Sequence, residues 1–548
     1  MLPIFLALAL PARATPLFTY DPSLLPSPQP CASDDPSTEG CYSNQAQLVD
    51  IDGDGDLDLI YANGGGYYVP GDAQPLAVYR NDSTSGNIVY TDVTDGEFGG
   101  WTGRVRQVAV GDIDGDGQPE IIVPDGYGMQ PDAVFAWNGA TWEDQGATRL
   151  GTSSRAGAVR LADVDDDGDL DLFISDWGDA PPGSPGVGHL YANDGGGHFT
   201  EVVGALPSDL SNVGTGPIDA DFVDVDTDND LDLLIASREG DSYLLINDGS
   251  GVFTWTDGML PKQPGPYVYG PGECDVDNDG DVDMWLDGGE RNGLEELLIN
   301  DGNGAFSDQT TARVTGNPTA DDNAVICADV DQDGDMDAVI ASLSDSERVL
   351  QNDGTGNFTL MDSTFADSDG NPLSDSTLGM AVGDIDGDGI LDAVTGQGES
   401  GPDFLNKVYV GSGAIDTIGP TIRHFDRFVD QASEQQVIFH FDVQDGVASE
   451  VGPRLHEAYV ELDGTPIQAT LMGGDTYRVP LDLKQGAHTL KACAQDQAAN
   501  ESCTIEAVFA IGDVKPTCGC ASAGDKGSGP ALVGLAIASF ALGRRRRS

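Results

Sequence analysis

Positive charge is what this chain has least of. Only 25 of its 548 residues are Lys or Arg, against 93 Asp and Glu, for a formal net charge of −68. That balance excludes nucleic acid and anionic lipid surfaces as partners, because both would be repelled. Histidine is scarce as well: six residues, at 189, 198, 424, 440, 456 and 488, are scattered too widely for a His-rich metal site. His-Glu-x-x-His, a Gly-x-Ser-x-Gly elbow and a phosphate loop ending in Lys are all missing. No carboxylate pair stands apart for glycosidase chemistry, since nearly all clustered acids belong to one repeating motif. An enzyme is therefore not expected. The two long apolar runs, Leu2 to Leu10 and Pro530 to Leu542, fall short of the about 20 residues a membrane helix needs.

What the chain does have is acid in regular places. With 39% hydrophobic residues it is no disordered polyanion. One nonapeptide recurs seven times. Its copies carry Asp50, Asp52, Asp54, Asp56 and Asp58; then Asp112, Asp114, Asp116, Gln118 and Glu120; then Asp163, Asp165, Asp167, Asp169 and Asp171. The fourth and fifth carry Asp224, Asp226, Asp228, Asp230 and Asp232, and Asp275, Asp277, Asp279, Asp281 and Asp283. The last two carry Asp329, Asp331, Asp333, Asp335 and Asp337, and Asp384, Asp386, Asp388, Ile390 and Asp392. Successive copies start 51 to 62 residues apart, the length of one four-stranded blade.

Each loop lies between apolar runs such as Val108-Ala109-Val110 and Leu231-Asp232-Leu233-Leu234-Ile235, which reads as a β-hairpin. A second motif follows: Asn193-Asp194-Gly195 to Phe199, Asn247-Asp248-Gly249 to Phe253, Asn300-Asp301-Gly302 to Phe306 and Asn352-Asp353-Gly354 to Phe358, a tight turn leading into an aromatic-headed strand. Degenerate copies, Asn81-Asp82 to Tyr90 and Asn138-Gly139 to Trp142, bring the aromatic strands to six. The seventh is Phe18-Thr19 at the other end, followed by Leu25-Pro26 as Phe199-Thr200 is by Leu206-Pro207. The last hairpin, Val408-Tyr409-Val410-Gly411, has no aromatic strand after it, so the N-terminal strand is expected to pair there and close a ring. Closure removes two exposed sheet edges.

Acids at positions 1, 3 and 5 turn three carboxylates to the inside of a tight turn, with Gly at 6, the carbonyl of 7 and the acid at 9 completing an all-oxygen shell. Such a shell suits Ca²⁺ rather than zinc or a redox metal. The closing acid at 9 followed by a strand differs from an EF-hand, which closes at 12 and continues into helix. Two carboxylates about 4 Å apart repel by about 1 kcal/mol in water and about 4 at an effective dielectric of 20, so four in one loop call for a cation. Three loops depart from the ideal: Asn229 replaces Gly, Glu120 has a longer arm, and Ile390 contributes its carbonyl alone.

Residues 16–414 resemble the FG-GAP/VCBS repeat family, the calcium-loop propeller of integrin α-subunit heads and many bacterial surface proteins. The resemblance implies an all-β seven-bladed β-propeller over 15–414, with up to seven Ca²⁺ sites. After it, alternating runs over 415–512 (Val437 to Val443, Ala458 to Leu462, Thr489 to Ala492, Thr504 to Phe509) read as a β-sandwich that looks like an Ig-like module, serving as a spacer.

The ends point outside the cell. Residues 1–14 read as a signal peptide with Ala12-Arg13-Ala14 before the cut. Eight Cys fit an oxidising compartment, with Cys31/Cys41 and Cys493/Cys503 as local pairs. Cys274 and Cys327 sit one and two residues before their loops, offsets that point to opposite strand faces and leave a bridge between them open. In the tail, 513–548, Cys518-Gly519-Cys520 precedes the apolar run and Arg544 to Arg547, as in a stop-transfer or sorting signal. It resembles the MYXO-CTERM sorting tail of myxobacteria, in which a Cys motif is processed; that implies anchoring at the surface or outer membrane of a Gram-negative cell, with Cys518 or Cys520 processed. The expectation is a monomeric, surface-displayed calcium propeller that binds an extracellular ligand, such as a polysaccharide or a surface protein. Loop aromatics Tyr67, Tyr68, Tyr127, Trp177, Tyr267 and Tyr269 suit sugar stacking as well as core packing. The alternatives are a calcium-dependent polysaccharide lyase and a structural surface-layer component.

Overall fold

The computed structural model describes residues 15–29, 42–65, 70–177, 188–207, 215–262, 268–288, 293–361, 364–374, 376–398, 405–425, 436–447 and 455–511. The expected signal peptide, Cys31 and Cys41, Tyr67, Tyr68 and Tyr267, and the tail from 513 with Cys518 and Cys520 lie outside the described residues.

The chain is nearly all strand. Among the described residues between Phe18 and Gly411 it forms seven sheets, each built on an antiparallel meander, with a short parallel edge strand added to the sixth (Val314–Thr315) and the seventh (Phe365–Ala366). Their first, inner strands are Tyr42–Val49, Ala109–Gly111, Val159–Ala162, Thr215–Val223, Pro271–Cys274, Asp322–Ala328 and Thr377–Gly383. Inner strands two to seven touch in succession and the seventh touches the first. Between the first and second, the Val108 N–H donates to Gln45 Oε1 at 2.8 Å. The result is a closed, propeller-like ring. As the sequence predicts, Phe18–Tyr20 joins the last sheet, pairing antiparallel with Tyr409 to Gly411, and Phe365–Ala366 covers its other edge in parallel.

Packing explains why the second strand of each sheet is apolar without alternation. Asp58–Gly64 is buried at every position. Ile60 and Ala62 pack toward the second sheet with Val110, Ile121 and Phe135. Leu59 and Tyr61 pack toward the seventh with Val394 and Val408. Both faces are interior, so alternate residues serve opposite neighbours and both must be apolar.

The same geometry decides the Cys274–Cys327 disulfide, which forms between the inner strands of the fifth and sixth sheets. Opposite strand faces are what such a bridge needs, because one sheet's forward face meets the next sheet's backward face. The parity that left the pair open from sequence in fact permits it. Cys493 and Cys503 are also bonded, as partners on adjacent strands.

Residues 421–511 fold into two sheets over a common core that includes Phe439, Phe441 and Val479 from one and Val460, Leu490 and Ala492 from the other. The spacer expectation is corrected by where this module sits. Every inner strand runs toward its acidic loop, so the seven loops share one end of the ring, and the module packs on that end. The N–H of Asp163 donates to Met472 O at 2.7 Å, that of Asp329 to Gly446 O at 2.9 Å, and that of Asp275 to Gln444 Oε1 at 2.9 Å. Ala328 and Val447 form an isolated β-bridge across the boundary. A spacer would not pair the main chain of the domain it carries.

Candidate metal centres at the loop end

All seven loops fold the same way, because each acid has a fixed hydrogen-bonding task. The position-1 carboxylate accepts the N–H of position 6 in every copy: Gly55 to Asp50 at 2.9 Å, Gly117 to Asp112 at 2.9, Gly168 to Asp163 at 2.9, Asn229 to Asp224 at 2.9, Gly280 to Asp275 at 3.0, Gly334 to Asp329 at 2.9 and Gly389 to Asp384 at 2.8. The position-5 carboxylates (Asp54, Asp116, Asp167, Asp228, Asp279, Asp333, Asp388) each accept the N–H of position 7, at 2.9 to 3.4 Å. The position-9 acids (Asp58, Glu120, Asp171, Asp232, Asp283, Asp337, Asp392) each accept the N–H of position 2, at 3.0 to 3.4 Å. Position 6 is left-handed in all seven, at φ +70° for Asn229 and +82° to +103° for the glycines, so Asn229 adopts the turn without breaking it.

These bonds bring carboxylate oxygens together. Asp50, Asp52 and Asp58 each offer an oxygen within 4.8 Å of the others, as do Asp112, Asp114 and Glu120; Asp163, Asp165 and Asp167; and Asp224, Asp226 and Asp232. The position-3 oxygen Oδ1 is buried without a hydrogen-bond donor in Asp114, Asp226, Asp277, Asp331 and Asp386, and so is Oδ1 of Asp56 and Asp335 at position 7. An inward anionic oxygen with no donor is costly unless a cation meets it. The donor set is all oxygen, so the residues fit a calcium ion.

Burial raises the position-9 acids against the pull of their backbone donors: Asp58, Glu120 and Asp171 to about 7, Asp283, Asp337 and Asp392 to about 8, and Asp232 to about 9. At position 3, burial and then the Asp54 and Asp50 carboxylates raise Asp52, and burial with Asp228 lifts Asp226 to about 6. A bound divalent ion reverses this preference by favouring the ionised form.

The departures resolve individually. The longer arm of Glu120 still reaches the Ile113 N–H, at 3.2 Å. Gln118 turns its amide onto Gly117 O at 3.1 Å, and Ile390 offers only main chain inward, its N–H bonding Asp388 at 2.9 Å. The remaining position-7 carboxylates Asp169, Asp230 and Asp281 lie against the adjoining turn: a Cβ on Gly195, Gly249 or Gly302 would sit 2.6, 2.4 and 2.4 Å from their oxygens. That close approach is why these turns carry Gly.

Three features escaped the sequence reading. First, the Asn of the Asn-Asp-Gly turn is a tie between sheets. Asn247 Nδ2 donates to Leu231 O of its own loop at 3.2 Å and to Val164 O of the preceding loop at 2.8 Å. Asn81, Asn193, Asn300 and Asn352 repeat the arrangement with Ile385, Ile113, Val225 and Val276. The regular spacing of Asn from each loop was the available signal. Second, the scarce arginines converge on the loops. Arg149 meets Asp114 at 2.7 Å and Arg313 meets Asp277 at 3.0 Å, each through Oδ2. Arg478 meets Asp166 at 2.8 Å, and Arg423 stands 3.7 Å from Asp275. Third, His424 and Asp442 of the C-terminal module converge on Asp224, with His424 Nδ1 2.7 Å from Asp442.

Of the loop aromatics among the described residues, Tyr127 and Trp177 lie at the other end of the ring, their rings tilted at 59° with centroids 5.7 Å apart, and the Arg106 guanidinium lies 4.8 Å over the Trp177 ring.

Fold and loops together define an all-β, propeller-like protein with one acidic loop in each sheet of the ring. The FG-GAP-like repeat family matches residues 50–123, 224–286 and 329–395, which contain the first two, the fourth and fifth, and the last two loops. Among named proteins, cartilage acidic protein 1 of Xenopus tropicalis is 23% identical over 389 residues, covering 64% of this chain and 57% of its own length. The chain thus spans little more than half of that relative. The BP39L lectin of Burkholderia pseudomallei shares a TM-score of 0.44 at 12% identity, over 69% of this chain and 99% of that one. A rhamnogalacturonan lyase of Bacillus licheniformis shares 0.41 at 14% identity, over 73% and 76%.

Proposed function

We propose that the protein is a calcium-held propeller displayed outside the cell, which binds an extracellular ligand through its ring rather than transforming it. The observation that carries this reading is the sevenfold repetition of one carboxylate corner, with buried inward oxygens at positions 3 and 7 that no donor meets. Bound calcium supplies the charge that lets these carboxylates stay ionised and close together. The residues that hold it are the position-1, 3, 5 and 9 acids of each loop, with the position-7 carbonyl. The signal-peptide-like start and the Arg-ended tail read from the sequence support display at the surface of a Gram-negative cell, where millimolar calcium and an oxidising milieu suit loops and disulfides alike.

Two measurements test the reading together. Metal analysis of the purified chain after dialysis in calcium is expected to find several calcium ions per molecule. A pull-down from surface polysaccharide and envelope fractions is expected to retain a ligand in calcium and lose it in chelator. A chain that takes up no calcium, or that depolymerises what it retains, would overturn the proposal.

A further inference from the structure

A cavity of about 190 Å³ lies on the ring axis. Its walls are inner strands, and four of those share a local irregularity. The first, fourth, sixth and seventh shift register at the same place, between Ser43 and Gln45, Pro217 and Asp219, Asp322 and Ala324, and Thr377 and Gly379. A bulge leaves its extra residue out of the ladder and re-aims it. The extra residues here are Asn44, Ile218, Asn323 and Leu378, and all four line the cavity. The loop-side floor comes from the C-terminal module, through Gln444, Asp445, Val447, Gly474 and Asp475. Neither unit forms this chamber alone.

The lining chemistry selects a class of ligand. Side-chain amides share its polar part with carboxylates: Asn44, Gln47 and Asn323, with Gln107 and Gln444, whose amides are bonded at both ends to Asp219 and Arg160 and to Asp275. An amide both donates and accepts, as a hydroxyl does. Gln47 is 6% exposed, and its Oε1 has no hydrogen-bond partner. Among the lining residues Arg106 is the sole cation, while Asp219, Asp221, Glu273, Asp445 and Asp475 are carboxylates. Asp219 and Asp221 face Arg160 and Asp475 pairs with Arg423 behind the wall, so a uronate or phosphate would find a single lining cation to meet it. Ile218, Leu378 and Met380 add apolar surface for the C–H face of a ring.

We propose that the axial chamber, built jointly by the ring and the C-terminal module, binds a neutral sugar residue. The inference rests on the ligand-binding reading above and names its site. The test titrates the full calcium-loaded chain with a panel of neutral mono- and disaccharides (gluco, galacto, manno, rhamno and fuco), and with the matching uronates, by calorimetry and ligand-observed NMR. At least one neutral sugar is expected to bind and no uronate to compete. Gln47→Met and Asp445→Asn are each expected to weaken that sugar at least tenfold, with melting within about two degrees of the parent. A preference for uronates, neutral-sugar binding untouched in both variants, or no neutral sugar bound overturns the site. If the pull-down still retains a calcium-dependent ligand in that event, the ligand-binding reading stands while this site falls.

Discussion

At the scale of single residues, the position-9 acids carry the clearest consequence. Buried among other carboxylates and held by two backbone donors each, Asp232, Asp283, Asp337 and Asp392 are pushed up to about 8 or 9. In the unfolded chain each titrates near the ordinary Asp value of about 3.9. Between those limits the folded, metal-free chain holds more protons than the unfolded one, so its stability is present in acid and lost as pH rises through 7 to 9. Chain stripped of metal by dialysis is therefore expected to melt at progressively lower temperature from pH 5 to pH 8, and saturating calcium to flatten that slope. A metal-free melting temperature that climbs over this range would show that these carboxyls are not held protonated by burial. The acids themselves were legible in the sequence, because a nine-residue spacing repeated seven times leaves little else for them to do. The arginines at Asp114 and Asp277 were not, since Arg149 and Arg313 lie 35 and 36 residues along the chain in short helices that carry no motif.

At the scale of the element, each loop is locked to its neighbour by an asparagine rather than by apolar contact alone. Removing the Asn247 amide takes the side-chain donor from buried Leu231 O, while Val164 O keeps the Gly251 N–H at 3.1 Å. Such a loss costs about 1–3 kcal/mol. Asn247→Ala is expected to lower unfolding free energy by about 1–3 kcal/mol in urea titrations with calcium present. Asn138→Ala, whose exposed side chain bonds only within its own hairpin (Thr141 and Glu143), is expected to change it by less than about 0.5 kcal/mol. Equal effects would mean that the asparagine shapes its turn and nothing more. The sequence announced the turn through Asn-Asp-Gly. It could not announce the tie, because the second acceptor lies one whole sheet away, 83 residues back for Asn247. The Cys274–Cys327 pair carries a related lesson: strand parity read along one strand inverts its meaning when the partner belongs to the facing sheet.

At the scale of the whole molecule, the main-chain N–H groups of Asp163, Asp275 and Asp329, the first residues of three loops, donate to the C-terminal module. The loops are thus both the candidate metal corners and the seat of the second unit. In calcium the full chain is expected to unfold in a single calorimetric transition; with chelator the ring's melting temperature falls sharply and a separate transition for residues 421–511 emerges. Two separate transitions in calcium would show that the module is only loosely seated. The strands of both units were readable from alternation and turn residues, and ring closure from the tally of aromatic strands. The docking was not readable, because it depends on which face of the module meets the loops, and neither partner's pattern encodes the other.

That closure also fixes an order of events. Phe18–Tyr20 precedes the rest of the ring in the chain, yet its antiparallel partner, Tyr409 to Gly411, is among the last of the ring. During synthesis that strand must wait, its edge unmatched, until nearly four hundred further residues have been made. Any truncation upstream of Lys407 strands it permanently, leaving a gap through which two copies can stitch together edge to edge.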